Sequence, residues 1–357
     1  MSLQRLILGA EGAEFACKSS SFDEPLTPSA FSLRAASTQG SAGVDAVRMD
    51  KLAIFVQRGG TRVYQIALNP SELEYGSGDL TILAPEIGEP SIVRLAIQRQ
   101  PDTRIHAVRS DGVAAVLVFD PAENVMAWCE METDGFVEDA AVLPGSIEDQ
   151  VYYHVRRTIN GVTKRYLEKW ALASQCIGGT LNRQADSYLV ISQSSSTTIT
   201  GLSHLEGKTV VIWAAGKDLG TKVVSGAQIT GLSQAVTSAI VGLGYTAQWR
   251  SPKLAFAAQM GTALTQTKRL THLGVILADT HPQGLQYGRD FDTMDNLPLL
   301  EGGAPVDPDA VHRAYDEVPF EFSGTWDNDA RLCLQAAAPR PCTVLAAIIS
   351  VQTNETR

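Results

Sequence analysis

Between Thr103 and Trp170 the chain breaks into strand-length runs of Val, Ile, Phe, Tyr and Trp. Each run is closed by a turn signal: Ser110-Asp111-Gly112, Asp120-Pro121, Thr133-Asp134-Gly135 and Asn160-Gly161. Gly, Asn and Asp accept the positive φ that tight hairpins require, so runs this short, punctuated this often, read as consecutive antiparallel strands. A meander of this kind is the unit from which propeller blades are built.

The same pattern extends upstream. Lys51 to Val56 and Thr61 to Ala67 flank Arg58-Gly59-Gly60 as a hairpin, and Ser91 to Gln98 precedes Ile105 to Arg109, Gly112 to Asp120, Val125 to Met131, Phe136 to Leu143, Gln150 to Arg157 and Val162 to Trp170. The recurrence at roughly 40–50 residues matches a four-stranded blade. Residues 1–187 are therefore expected to form partial or complete β-propeller blades. The polar run Gln193 to Thr198 marks a boundary or an exposed strand. Residues 188–250 read as a small β-barrel or sandwich module punctuated by Glu206-Gly207-Lys208, Ala215-Gly216-Lys217 and Ser225-Gly226. Residues 251–357 read as a C-terminal β segment with one helix over 251–270, where Ala and Leu are enriched and Lys268 and Arg269 suit a helix C-terminus. The fold class expected is mainly β.

Charge is concentrated. The chain carries a formal net charge of −10, and from Asp279 to Asp329 twelve acidic residues stand against Arg289 and Arg313 alone. That stretch, bearing several prolines, reads as an acidic surface excursion. It argues against stable nucleic-acid binding, which rests on Lys and Arg neutralising phosphates, while suiting a wall along which DNA slides without sticking. No apolar run approaches the roughly 20 residues that cross a bilayer, and no signal-peptide pattern opens the chain. A protein made in the cytosol without membrane insertion is expected. The five cysteines, Cys17, Cys129, Cys176, Cys333 and Cys342, are scattered without a CxxC pair, so they are expected to be core thiols rather than disulfide or zinc partners.

Catalytic and cofactor motifs are sparse. A GxSxG elbow, a P-loop, a GxGxxG turn and an HExxH helix are all absent. His281 and His312 fall in the acidic stretch without a nucleophile in the sequence nearby. Asp290-Phe291-Asp292-Thr293-Met294-Asp295-Asn296 alternates carboxylates as a Ca²⁺ loop does, without the turn glycine and distal glutamate of an EF-hand. Glu130, Glu132 and Asp134 are the carboxylates nearest to a glycosidase pair. None of these reaches the standard of a site. The expectation is no catalytic residue, no cofactor, no metal, and a protein that is not an enzyme.

Four blocks carry a family resemblance: Phe55-Val56-Gln57-Arg58-Gly59-Gly60 with Arg62-Val63; Val155-Arg156-Arg157-Thr158-Ile159-Asn160-Gly161 with Arg165-Tyr166-Leu167-Glu168; Gly201 to Val210, GLSHLEGKTV; and Trp326 to Gln335, WDNDARLCLQ, followed by Pro341 and Thr343-Val344-Leu345. In this order the chain resembles the C-terminal part of the podovirus tail nozzle proteins, the tail tubular protein B family. The resemblance implies a virion protein of a phage or prophage, assembled in the bacterial cytoplasm as a homo-oligomeric, six-fold ring. Its implied partners are the adaptor of the head–tail connector and tail fibre proteins, with DNA passing through during genome ejection and no specific binding. It also implies blades beyond those encoded here, since family members carry a long additional N-terminal region. The runner-up is a carbohydrate-binding or depolymerising propeller module of a tail, although the Ser-x-Asp-x-Gly-x-x-Trp boxes of sialidase-like propellers are absent. A stand-alone propeller scaffold is the third reading.

Overall fold

The computed structural model describes residues 5–19, 26–69, 71, 74–255, 262–301, 304–316 and 319–354. The chain divides into two compact units, residues 1–172 and 173–357.

The first unit is four antiparallel sheets, each made of strands consecutive in sequence. A three-stranded sheet holds β1 (Leu6–Gly9), β2 (Glu14–Lys18) and β3 (Ser32–Ser37). A four-stranded meander follows with β4 (Val47–Met49), β5 (Leu52–Val56), β6 (Val63–Asn69) and β7 (Glu74–Asp79). The second meander holds β8 (Ile92–Gln98), β9 (Arg104–Arg109), β10 (Ala114–Asp120) and β11 (Val125–Met131). The fourth sheet holds β12 (Phe136–Leu143), β13 (Gln150–Ile159) and β14 (Val162–Lys169). The two meanders are blade-like units, and strands expected from sequence recur within a few residues.

Alternation explains how the sheets stack. On β5, Ile54 and Val56 share a core with Val63, Ile92, Leu95, Ile105 and Leu117, whereas Ala53 and Phe55 face the other way, towards Ile7, Ala16, Ile66 and Tyr75. On β9, Ile105 and Ala107 point into the first of these cores, and Val108 into a third with Val137, Val151, Tyr153 and Val155. A strand reads as an uninterrupted apolar run when both of its faces are covered. Side-by-side sheets packed face to face give that covering, as successive propeller blades do. The β13–β14 turn places Asn160 at φ 50° and Gly161 at φ 75°, both left-handed as a two-residue type I′ hairpin requires.

Among the described residues the second unit has two large cores and a smaller one of Ala185, Val211, Trp213 and Ile240. β15 (Asp186–Ser196), β17 (Thr209–Ala214), β18 (Lys217–Val223) and β20 (Val236–Leu243) form a sheet in the order β15-β20-β17-β18, and β16 (Ile199–Thr200) pairs β19 (Gln228–Ile229). They enclose Ile199, Leu202, Leu205, Ile212, Ile229 and Val241. The polar run Gln193 to Ser196 is the end of β15. Further on come β21 (Thr246–Arg250), β22 (Lys268–Thr280), β23 (Leu285–Asp290), β24 (Thr293–Asn296), β25 (Leu300–Glu301), β26 (Ala304–Pro305), β27 (His312–Asp316), β28 (Phe320–Glu321), β29 (Cys333–Ala337) and β30 (Thr343–Thr353). One sheet runs β21-β29-β23-β24; in another, β22 pairs β27, β28 and β30. Leu273, Val275, Leu277, Leu285, Tyr287 and Phe322 are among the residues that fill the second core.

Two expectations for this region are corrected. The helix over 251–270 is not formed among the described residues; residues 256–261 lie outside them. Lys268, Arg269 and Leu270 open β22 and pair with Thr353, Gln352 and Val351. Lys268 is wholly buried, and its ammonium donates to the carbonyls of Ala263 (2.5 Å), Gln266 (2.9 Å) and Asn328 (3.3 Å). The Ala263 carbonyl that a helix would have bonded four residues on is thus held by a side chain. The acidic stretch is likewise not an excursion. Its β23 is an interior strand, flanked by β29 and β24, and Tyr287 and Tyr315 are buried.

The cysteines divide. All five are free thiols; Cys17 and Cys333 are buried, whereas Cys129 is exposed on β11, the edge strand of its meander. The core expectation for Cys129 is therefore corrected. Among the described residues no helix is long and apolar enough to cross a membrane.

Candidate binding face

A cluster of partly exposed charged groups lies on the β12–β14 sheet. Strict alternation on β13 buries Val151, Tyr153, Val155 and Arg157 and leaves Tyr152, His154 and Arg156 less covered on the opposite face. The pairing register sets Arg156 directly against Arg165, His154 against Leu167 and Tyr152 against Lys169. On the other flank, a shift in register between Val137 and Asp139 keeps both Glu138 and Asp139 off the buried side.

Glu138 is the focus of this face. Its carboxylate accepts from Arg165 Nε (2.7 Å) and Nη2 (3.2 Å), lies 3.2 Å from Arg156 Nε and 3.2 Å from His154 Nδ1. The hydrogen bond from Arg165, with the neighbouring charges of Arg165, Arg156 and His154, holds its carboxyl below the usual carboxylate range. Arg156 lies over the Phe136 ring at 4.7 Å and Lys169 over Tyr152 at 5.8 Å. Asp139 is taken up by Arg94 at 2.9 Å. This is a cation-rich, aromatic-backed surface able to hold an anion by forked hydrogen bonds. Arg156 and Arg165 appear in the sequence blocks above, but their meeting with Glu138 needed the register.

Beneath the face sits a buried polar group. His106 Nδ1 lies 2.8 Å from the Tyr153 hydroxyl, its Nε2 lies 3.4 Å from Gln98 Oε1, and Trp170 packs edge-on against it at 4.9 Å. Burial first, and then the charge of Arg104, depress the His106 pKa to about 4; burial pushes the Tyr153 phenol up.

The residues singled out in the sequence are dispersed. Glu130 pairs with Arg109, which also holds Asp111 at 2.8 Å and the Ile87 carbonyl at 3.2 Å. Glu132 and Asp134 follow β11 in an exposed turn region. Asp290 caps its own hairpin, its Oδ1 accepting from Asp292 N (3.1 Å), Thr293 N (2.8 Å) and Thr293 Oγ1 (2.7 Å). Asp292 and Asp295 are exposed. His281 is buried edge-on to Trp213 at 6.1 Å, with Nδ1 accepting from Gln283 N at 3.1 Å; His312 packs on Tyr315 instead. Other carboxylates of the acidic stretch are ion-paired: Asp279 with Arg313 (2.6 Å), Asp309 with Lys217 (2.5 Å) and Asp329 with Arg331 (2.8 Å). Glu317 lies outside the described residues.

No family model matches the sequence, and no curated protein matches it. Among solved structures, the chain is similar to one titled glycoside hydrolase, at 10% identity over 97% of this chain and 83% of that one, with a TM-score of 0.23. It is also similar to Trypanosoma rangeli sialidase in complex with sialic acid, at 10% identity over 97% of this chain and 90% of that one, with a TM-score of 0.24. At these scores neither likeness transfers a residue or a substrate. The expectation that the chain is not an enzyme is corrected to this extent: the comparisons give it no support, both structures being of proteins named as enzymes.

Proposed function

We propose that this chain is a structural module of a short bacteriophage tail, whose open faces are covered by further copies of itself and by neighbouring tail proteins. The observation that supports this reading is the apolar surface it leaves in water. Leu83 is 84% exposed, Ile147 81% and Leu167 72%, and Leu345 and Ile348 project from β30. β30 is eleven residues long, carries no charged side chain, and its described pairing is to β22 alone. Long apolar edge strands are normally blunted by Lys, Pro or a covering element, so an uncharged one fits a subunit that is completed on assembly. The adaptor ring, tail fibres and channel role follow from the sequence resemblance. Light scattering of the purified chain, alone and with its adaptor, tests this reading. A mass of several subunits in either sample supports it, and a monomer in both argues against it.

A second reading is favoured by one observation of its own. The cation-rich face around Glu138 is an anion-binding surface in a chain of net charge −10, and it suits a tail module that touches surface polysaccharide. Binding of the chain to acidic polysaccharide in solution tests that reading.

A further inference from the structure

We infer that the outer face of the β12–β14 sheet binds a carboxylate-bearing polysaccharide, with Arg156, Arg165 and Lys169 as the contacting cations and Glu138 as an internal competitor. The inference rests on the glycan-directed reading and names its ligand class and its residues.

Like charges placed directly opposite on neighbouring strands are destabilising, yet the register pairs Arg156 with Arg165. One rung away lies His154, and Lys169 stands at the end of the same face, its ammonium donating to Gln150 Oε1 at 2.9 Å rather than to a carboxylate. Glu138 supplies a single negative charge to Arg156, Arg165 and, when protonated, His154. It does not saturate them: Arg156 Nε is buried without a hydrogen bond of acceptable geometry, although Glu138 lies 3.2 Å away. On this face Arg156, Arg165 and Lys169, with Arg94 beside Asp139, stand against Glu138 and Asp139, whereas Arg157, Lys164 and Glu168 belong to the opposite face. The face is therefore short of negative charge in a protein that has an excess of it.

The chemistry of the missing anion is indicated by what already sits there. Arg165 closes its fork on a carboxylate through two nitrogens, the geometry in which guanidinium recognises planar oxyanions. Phe136 and Tyr152 each already carry a cation over one face, Arg156 and Lys169. Single-stranded nucleic acid is held largely by stacking bases on bare aromatic faces, with which those cations compete. Arg156 and Arg165 stand one strand separation apart, about 4.8 Å, and Lys169 lies four residues along β14 from Arg165, about 13–14 Å, a row of cations that suits an extended polymer bearing repeated carboxylates.

The test is binding of the full chain to immobilised polygalacturonate at low salt, with neutral dextran and a thymidine oligonucleotide as comparison ligands. Expected are binding to polygalacturonate and none to dextran, a loss of tenfold or more in Arg156→Gln/Arg165→Gln, and tighter binding in Glu138→Gln. If the double variant misfolds by circular dichroism, Lys169→Gln and Glu138→Gln, with effects of opposite sign, carry the same test. Tighter binding to the oligonucleotide than to polygalacturonate overturns the polysaccharide assignment. Polysaccharide binding that none of these substitutions alters overturns this face while leaving the glycan-directed reading standing. No binding to either polysaccharide overturns both.

Discussion

Arg157 and Glu168 meet across the β13–β14 hairpin in a two-pronged ion pair, Nε and Nη2 each 2.7 Å from a carboxylate oxygen, while Nη1 donates to the Asp134 carbonyl at 2.7 Å. The guanidinium is 3% exposed and the carboxylate 20%. Removing one partner of a buried pair costs more than replacing both, because the remaining charge stays desolvated. Glu168→Leu is expected to destabilise the first unit by about 2–4 kcal/mol, and Arg157→Met/Glu168→Leu by clearly less. Urea unfolding followed by tryptophan fluorescence checks this; a double variant as unstable as Glu168→Leu would contradict it.

His106 makes the first unit acid-sensitive. Its folded pKa lies near 4 against an ordinary 6.5, so below pH 6.5 the unfolded chain takes up a proton that the folded one refuses. Its contribution is complete above about pH 6.5 and is lost progressively as pH falls towards 4. A difference of that size corresponds to about 3 kcal/mol. The unfolding midpoint in urea is expected to fall between pH 7 and pH 4.5 in the natural chain, and His106→Gln should flatten that slope. A slope unchanged in the variant would place the sensitivity elsewhere.

Gly112 closes the β9–β10 turn at φ +87°, and a Cβ there would lie 2.5 Å from the Phe136 ring. Strained backbone and a clash with an aromatic ring add together, so Gly112→Ala is expected to cost about 1–3 kcal/mol. Gly161, also at positive φ but with open space around its missing Cβ, should lose less on the same substitution. Comparing the two midpoints in urea separates the clash from the backbone term.

The first unit was legible because its signals are local. Turn dipeptides fixed where β9 to β14 begin and end, and period-two alternation fixed what they bury. The second unit resisted: the Ala- and Leu-rich run before Lys268 has helical composition, but Lys268 opens β22 and its buried ammonium is held by the carbonyls of Ala263 and Gln266 instead of ending a helix. The acidic residues from Asp279 onward looked like solvated loop because charge dominates their composition, although Leu285, Tyr287 and Tyr315 between them are core. The candidate face depended on a register shift at Val137 and Asp139. A bulge leaves no mark in a sequence read by alternation, so Glu138 could not be seen to meet Arg156 and Arg165.

The assembly reading makes its sharpest prediction at β30. The strand offers Leu345 and Ile348 to solvent, at 63% and 57% exposure, and carries no charge along its length. A lysine on an edge strand opposes further strand pairing, because adding a neighbour would desolvate its ammonium. Ile348→Lys removes an exposed apolar group, so its effect on folding stability should stay within about 0.5 kcal/mol. Association should respond strongly if β30 is covered in the tail. Light scattering and urea midpoints measured together separate these effects: a lower mass at an unchanged midpoint supports covering of β30 by another chain. An assembly of unchanged mass would move the contact to the other exposed apolar positions, Leu83, Ile147 and Leu167.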